Sequence, residues 1–184
     1  MEADWEFEVG GGAPVIEAQW PGFVDLQRAP ECIPLLPEAR QLPALAKALE
    51  DLNASSSPVW TSKCDFWPRL DPDEFDPGEL DAEPGCCGCA MGCYIDLLPR
   101  NGMQWKLPEQ IAAACKDLCS LLCAVPLRCC RADLVIRRAF LTAERMELGM
   151  TAYLTSCGDS PEKAAQRLQE ALIAFTGAFS AGQQ

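Results

Sequence analysis

The chain of 184 residues contains no histidine. This absence excludes Ser-His-Asp and Cys-His nucleophilic machinery, histidine-containing metal sites and the usual general base near neutral pH. The chain has only two tyrosines, Tyr94 and Tyr153, and none of its apolar runs approaches the roughly 20 residues needed to span a bilayer. We therefore expect a binding module rather than an enzyme, without a membrane-spanning segment.

Basic residues are also scarce, because 15 Lys and Arg stand against 27 Asp and Glu, giving a net charge of −12 and a pI of about 4.4. Such a chain repels the phosphates of nucleic acids and the headgroups of anionic membranes. We expect neither as a partner. Residues 1–12 are acidic and lack the basic and apolar regions of a secretory signal, so we expect a cytoplasmic protein.

Cysteine, in contrast, is abundant, with 12 copies in the chain. A metal or iron–sulfur site through Cys86, Cys89 and Cys93 is one reading of the stretch "CCGCAMGC". Such sites need further ligands, and the chain offers neither a second CxxC pair nor a histidine. Free cysteine otherwise behaves as a small buried hydrophobe. We predict that no metal or other cofactor is bound and that Cys93, Cys115 and Cys157 are reduced.

Hydrophobic periodicity predicts an α+β fold. Predicted strands cover 13–20, 57–68, 90–99, 132–141 and 148–157, and predicted helices cover 37–54, 107–125 and 158–182. Residues 1–12 are either an additional strand or a flexible N-terminus. The order predicts a single domain over 1–184 with a ferredoxin-like split βαβ unit. Its sheet is expected to be mostly antiparallel, with about five main strands and three helices on one face.

From its first helix onward, this order of elements resembles that of type III secretion chaperones, which are acidic dimers. The resemblance lies in the succession of helix, two strands, helix, two strands and helix, and no motif residue is matched. It implies an acidic, chaperone-like module that works as a dimer.

Residues 69–85 form an acidic stretch with three prolines and two glycines. Its acids are Asp71, Asp73, Glu74, Asp76, Glu79, Asp81 and Glu83. The spacing does not fit the calcium loop of an EF-hand. We predict a mobile, exposed loop that can be shortened at little cost, since loop closure depends weakly on length.

Helices on one face leave the other sheet face open, and alternation predicts which side chains it carries. In strand 57–68, alternation sends Thr61 outward and Trp60 into the core. On the other strands the outward positions are Leu98, Asp133, Val135, Thr151 and Thr155, together with members of the candidate site. That site consists of Lys63, Asp65, Trp67, Tyr94, Asp96, Arg137 and Tyr153.

Aromatic rings beside an arginine are typical of a contact surface. We therefore predict that the open face binds a second copy of the chain or another protein. Two alternatives remain for this face. One is a solvated face with cross-strand ion pairs, and the other is a small-ligand or enzymatic site that uses its carboxylates, lysine and tyrosines.

Overall fold

A computed structural model describes residues 1–71, 74–83, 85–100, 105–142 and 144–181. The strands are β1 (Glu2–Glu8), β2 (Ile16–Glu17), β3 (Val59–Trp67), β4 (Cys89–Pro99), β5 (Cys130–Thr142) and β6 (Arg145–Gly158). The helices are α1 (Pro37–Gln41), α2 (Pro43–Asn53), α3 (Pro108–Cys123) and α4 (Pro161–Ala181), with a short 3₁₀ helix at Pro30–Leu35. The α+β class is confirmed.

The six strands form one mixed sheet. Five of them follow the order β1-β5-β6-β4-β3, and the short β2 pairs with β5 beside β1. The ladders β3–β4, β4–β6 and β5–β6 are antiparallel, whereas β1 and β2 both run parallel to β5 along its outer edge. β5 and β6 form a long hairpin whose second strand lies at the centre of the sheet. The sheet therefore has β1 and β3 at its two edges.

The helices α2, α3 and α4 pack on one face of this sheet, as alternation along the strands requires. Cys93, Ile95 and Leu97 of β4 point to that face and are at most 1% exposed. They join Leu134 and Ile136 of β5 in a core that includes apolar side chains of all three helices. Full burial of each leucine or isoleucine side chain contributes about 1.5–3 kcal/mol to folding.

The ferredoxin-like unit and the mostly antiparallel sheet are not confirmed. β6 lies between β4 and β5, and the sheet is mixed because both N-terminal strands join it in parallel. The predicted strand 13–20 contributes only Ile16–Glu17 to the sheet. The N-terminal residues Glu2–Glu8 do form a strand, which is the first of the two alternatives for 1–12.

The predicted helix 37–54 is interrupted at Leu42, which adopts an extended conformation with φ −127° and ψ 92°. A residue that precedes proline is disfavoured in the helical region, and Pro43 follows directly. Proline is well tolerated at the first position of a helix, so α2 begins anew there. The break turns the predicted single helix into α1 and α2.

In the part of the chain that the structure describes, none of the helices combines the length and the apolar character needed to cross a membrane.

Candidate functional site

The open face is the face of the sheet opposite α2, α3 and α4. One row crosses it from edge to edge: Asp65 of β3 pairs with Tyr94, Tyr94 with Tyr153, Tyr153 with Asp133, and Asp133 with Asp4 of β1. Side chains directly opposite each other on neighbouring strands lie within contact distance. Both tyrosines of the chain thus share the open face, at the centre of the sheet.

Aromatic rings form a continuous series across three strands of this face. The ring centroids of Trp67 and Tyr94 are 5.7 Å apart, and those of Tyr94 and Tyr153 are 5.9 Å apart. The guanidinium of Arg137 lies 5.6 Å from the Tyr153 ring centroid. These separations are typical of aromatic and cation–π contacts, so the four side chains form one connected surface.

Arg137 is also the centre of a polar network. It pairs with Glu8 of β1 at 2.6 Å, and it donates hydrogen bonds to the hydroxyl oxygens of Thr151 at 3.2 Å and Tyr153 at 3.1 Å. The Thr151 hydroxyl in turn donates to Oδ1 of Asp96 at 2.6 Å. The edge strand β1 is thereby connected to β4, across β5 and β6, through side chains alone.

Asp96 is the most deeply placed acid of the site, at 6% exposure. Burial raises its pKa, although the hydrogen bond from Thr151 and the charges of Arg137 and Lys63 act in the opposite direction. Burial, helped by the charges of Asp96 and Asp65, raises the pKa of Tyr94 to about 12. Tyr94 is therefore a neutral phenol flanked by two carboxylates.

The predicted orientation of Trp60 and Thr61 is wrong. A β-bulge between Thr61 and Cys64 inserts one extra residue into β3 and reverses the alternation on its N-terminal side. Trp60 pairs with Leu98 on the open-face side, and its ring lies 6.2 Å from that of Phe23. Thr61 is buried on the helix side, where it exchanges hydrogen bonds with the Asn53 side chain.

One end of the open face is covered by the segment 16–23, which we call the covering segment. Ser62 of β3 donates a hydrogen bond to the Glu17 carbonyl at 2.6 Å. Ile16 packs on Leu98, which is 0% exposed rather than solvent-facing as alternation predicts. A Cβ at Gly149 would lie 2.9 Å from Ile16 Cδ1 and 3.0 Å from the Leu97 carbonyl oxygen, so a larger residue at that position of β6 would have to displace the covering segment or the neighbouring strand.

The other end of the face is covered by the described residues of 69–88 (69–71, 74–83 and 85–88), which we call the covering loop. Leu80 is 2% exposed and packs on Ala90, Cys129 and Cys157, with Leu70, Phe75, Ala82 and Cys87 around it. The loop is therefore not wholly exposed, because its apolar residues pack while its six described acids are exposed. The predicted mobility stays a prediction, and Pro72, Asp73 and Pro84 lie outside the described residues.

The middle of the open face remains accessible between these two covers. Asp65, Trp67, Tyr94, Arg137 and Tyr153 are all half-buried there. Lys63 is displaced toward the covering segment, where its Nζ lies 5.3 Å from the centroid of the Trp20 ring. The structure thus brings the candidate site residues together on one face, with Lys63 at its margin.

The cysteines are mainly packing residues. Burial raises the pKa of the thiols of Cys93 and Cys157, and that of Cys115 to about 12, which keeps them protonated and unreactive. Among the described residues, no group of three or more histidine, cysteine or acidic side chains is arranged to hold a metal ion. That the protein binds no metal stays a prediction.

Comparisons with protein-family models, with curated proteins and with solved structures gave no match. The resemblance to secretion chaperones therefore has no support beyond the order of elements.

Sequence reasoning missed Glu8 and Trp20 as contributors to the site, and it placed Thr151 on the open face without assigning it to the site. Glu8 pairs with Arg137, Trp20 covers Lys63, and Thr151 connects Arg137 to Asp96. Acids alternate with Trp5 and Phe7 along β1, a pattern typical of a strand with one charged face. A local pattern cannot show which other strand β1 pairs with, so the contact of Glu8 with Arg137 was not predicted. Trp20 lies in a segment without regular structure, where periodicity carries no information.

Proposed function

We propose that the chain is a non-enzymatic binding module that holds a protein partner on the middle of its open face. The observation that carries this proposal is the continuous series of half-buried rings from Trp67 through Tyr94 to Tyr153, which ends at Arg137. Tyrosine, tryptophan and arginine are enriched at protein interfaces and dominate their binding energy.

The polar network of the same face supports the proposal. The buried carboxyl group of Asp96 receives one hydrogen bond from Thr151, and its desolvation costs free energy of folding. Sequences that only need to be stable avoid such costs, and natural proteins accept them where a site requires them. A merely solvated face has no need of a buried acid under a row of aromatic rings.

Charge favours a partner other than a second copy of the chain. Both copies would bring the same acids, including Asp4, Glu6 and Asp133, to a two-fold interface. Like charges that face each other across an interface cost several kcal/mol. The homodimer suggested by the sequence is therefore the weaker form of the proposal.

A small-ligand site is the second candidate, and Asp96 beside Tyr94 is the observation that favours it. A buried carboxyl group with a raised pKa next to a phenol is a common composition of acid–base sites. Two results together would favour this candidate. A small molecule would bind saturably to wild type and not to the Asp96→Asn variant, and replacing the open-face tyrosines would leave the binding of partner proteins unchanged.

A comparative capture experiment tests the proposal. Tagged wild-type protein, a Tyr94→Ala/Tyr153→Ala variant and a Phe7→Ala variant are incubated with extract of the cells that produce the protein, and bound proteins are quantified. Phe7 is a matched control, since it is an exposed aromatic residue on the helix side of β1. Interface aromatics contribute about 2 kcal/mol each as hot spots, or about thirtyfold in affinity.

The expected result is a specific partner that binds wild type and the Phe7→Ala variant and is lost from the tyrosine variant. Circular dichroism of all three proteins checks that the fold is intact. A partner retained equally by all three, or no partner above background, would contradict the proposal.

A further inference from the structure

Carboxylates outnumber basic side chains on the open face. β1 presents its acids to this face, because Asp4, Glu6 and Glu8 pair in register with Asp133, Val135 and Arg137 of β5 while Trp5 and Phe7 point to the helix side. The acids of the face are Glu2, Asp4, Glu6, Glu8, Asp65, Asp96 and Asp133, and its bases are Lys63, Arg131 and Arg137. The face therefore carries a net negative charge.

The bases on this face are already engaged within the chain. Arg137 pairs with Glu8, Arg131 pairs with Asp133 at 2.8 Å, and Lys63 lies over the ring of Trp20. Arg137 also lies over the ring of Tyr153, so two of the bases, Lys63 and Arg137, each lie against an aromatic ring. An aromatic ring thus accepts a cation both at the margin, where Trp20 of the covering segment lies, and within the accessible middle, at Tyr153.

In the central part of the ring series, the described Lys and Arg side chains lie beside the acids rather than over the rings, and the charges of Arg137 and Lys63 reach Asp96 from the side. Tyr94 pairs in register with Asp65 of β3, Asp96 follows two residues later on the same face of β4, and the ring of Trp67 lies next to that of Tyr94. Within the described chain, no lysine or arginine lies over the ring of Tyr94 or Trp67, and the Asp96 carboxylate accepts a hydrogen bond from Thr151 alone. Two rings with two carboxylates suit an ammonium or guanidinium group.

We propose that the partner bound by the open face presents an extended segment with lysine or arginine side chains, one of which lies against Tyr94 and Trp67 and pairs with Asp65, while the buried Asp96 adds negative charge beneath the contact. This inference rests on the proposed function and names the chemistry of the partner. Charge complementarity selects it, since an acidic partner or a second copy of the chain is repelled by the same face.

The extent of the acidic surface favours a protein segment over a free amine. The acids are distributed from β3 at one edge of the sheet to β1 at the other. Five strands with spacings of about 4.8 Å give a width of about 19 Å. A small amine would use only the position at Tyr94, whereas an extended segment reaches the acids of β1 as well.

Peptide titrations test this inference. Fluorescence anisotropy measures the binding of two labelled ten-residue peptides, one alternating lysine with threonine and one alternating glutamate with threonine. The proteins are wild type, Asp65→Asn/Asp96→Asn, Tyr94→Ala and the control Asp117→Asn. Asp117 is exposed on α3, so its replacement removes negative charge from the helix layer only.

We expect the lysine peptide to bind wild type and the Asp117→Asn control within about twofold of each other. The two face variants should bind it about tenfold more weakly or worse, since removing one partner of a desolvated charge pair is costly. Added salt should weaken binding, and the glutamate peptide should not bind. Equal binding of the lysine peptide to all four proteins would overturn the inference, because it would reflect net charge alone.

Two further outcomes separate this inference from the proposed function. If captured partner proteins depend on Tyr94 and Tyr153 but are insensitive to salt and to Asp65→Asn/Asp96→Asn, the inference is overturned and the proposed function stands. Competition by butylammonium at the same molar concentration as the peptide would show that the site binds a small amine. That result would overturn the proposal of an extended basic segment. Failure of the capture experiment itself overturns the proposed function.

Discussion

At the scale of single residues, Asp96 is expected to cost stability. Burial raises its pKa in the folded protein, so the folded state holds the proton more tightly than the unfolded chain does. The stability that this group contributes is present below its unfolded pKa and is lost as the pH rises through its folded pKa. Replacement by asparagine keeps an oxygen that accepts the Thr151 hydrogen bond and removes the charge.

Asp96→Asn should therefore raise the unfolding temperature at about pH 8, and the gain should shrink toward about pH 4. A gain of about 1 kcal/mol corresponds to about 2–4 °C for a chain of this size. Thermal unfolding followed by circular dichroism measures it, with Asp117→Asn as the exposed control. A variant less stable than wild type at every pH would show that Arg137 and Lys63 outweigh the cost of burial.

The single residues of the site were predictable where strands are regular. Period-two alternation placed Tyr94, Asp96, Arg137 and Tyr153 on one face, and the pairing of Tyr94 with Tyr153 agrees with it. The orientation of Trp60 and Thr61 was not predictable, because a bulge shifts the register by local backbone geometry that has no strong signature in composition.

At the scale of elements, the covering loop should contribute to stability through Leu80. Its side chain is 2% exposed over Ala90, Cys129 and Cys157. Leu80→Ala should lower the free energy of unfolding by about 2 kcal/mol, at the lower end for buried leucines because the cluster is small. It should also speed the reaction of Cys157 with a thiol reagent. Chemical denaturation and thiol labelling measure the two effects.

Leu35→Ala is the matched control, since Leu35 is 69% exposed and its truncation should change stability by less than about 0.5 kcal/mol. A Leu80→Ala variant with the stability of wild type would show that the loop is as dispensable as the sequence suggests. Acids dominate the composition of the covering loop, and Leu80 stands among them without any periodic pattern of apolar residues. Only the packed structure shows that Leu80 is buried.

The topology of the elements was predictable only in part. The α+β class follows from periods of 2 and 3.6 residues, which are local properties of the sequence. The central place of β6 and the parallel edge strand β1 depend on which strands pair over long distances along the chain. The Glu2–Glu8 strand reaches β5 more than a hundred residues away, and no local pattern encodes that choice.

At the scale of the whole molecule, the net charge of −12 should keep the chain monomeric near neutral pH. The acids of the open face repel the same acids on a second copy, and this repulsion weakens as the pH approaches the pI of about 4.4. Light scattering should therefore give a mass near 20.0 kDa at low salt and neutral pH. Self-association should increase only with added salt or toward the pI.

The salt response then separates the two kinds of contact on this face. Salt screens repulsion between two copies and attraction to a basic segment alike, so it strengthens a dimer and weakens the proposed complex. A stable dimer at low salt that becomes monomeric in the Tyr94→Ala/Tyr153→Ala variant would contradict the prediction. In that case the tyrosines would be burying each other across a two-fold axis, and the acids of β1 would have to lie outside the contact.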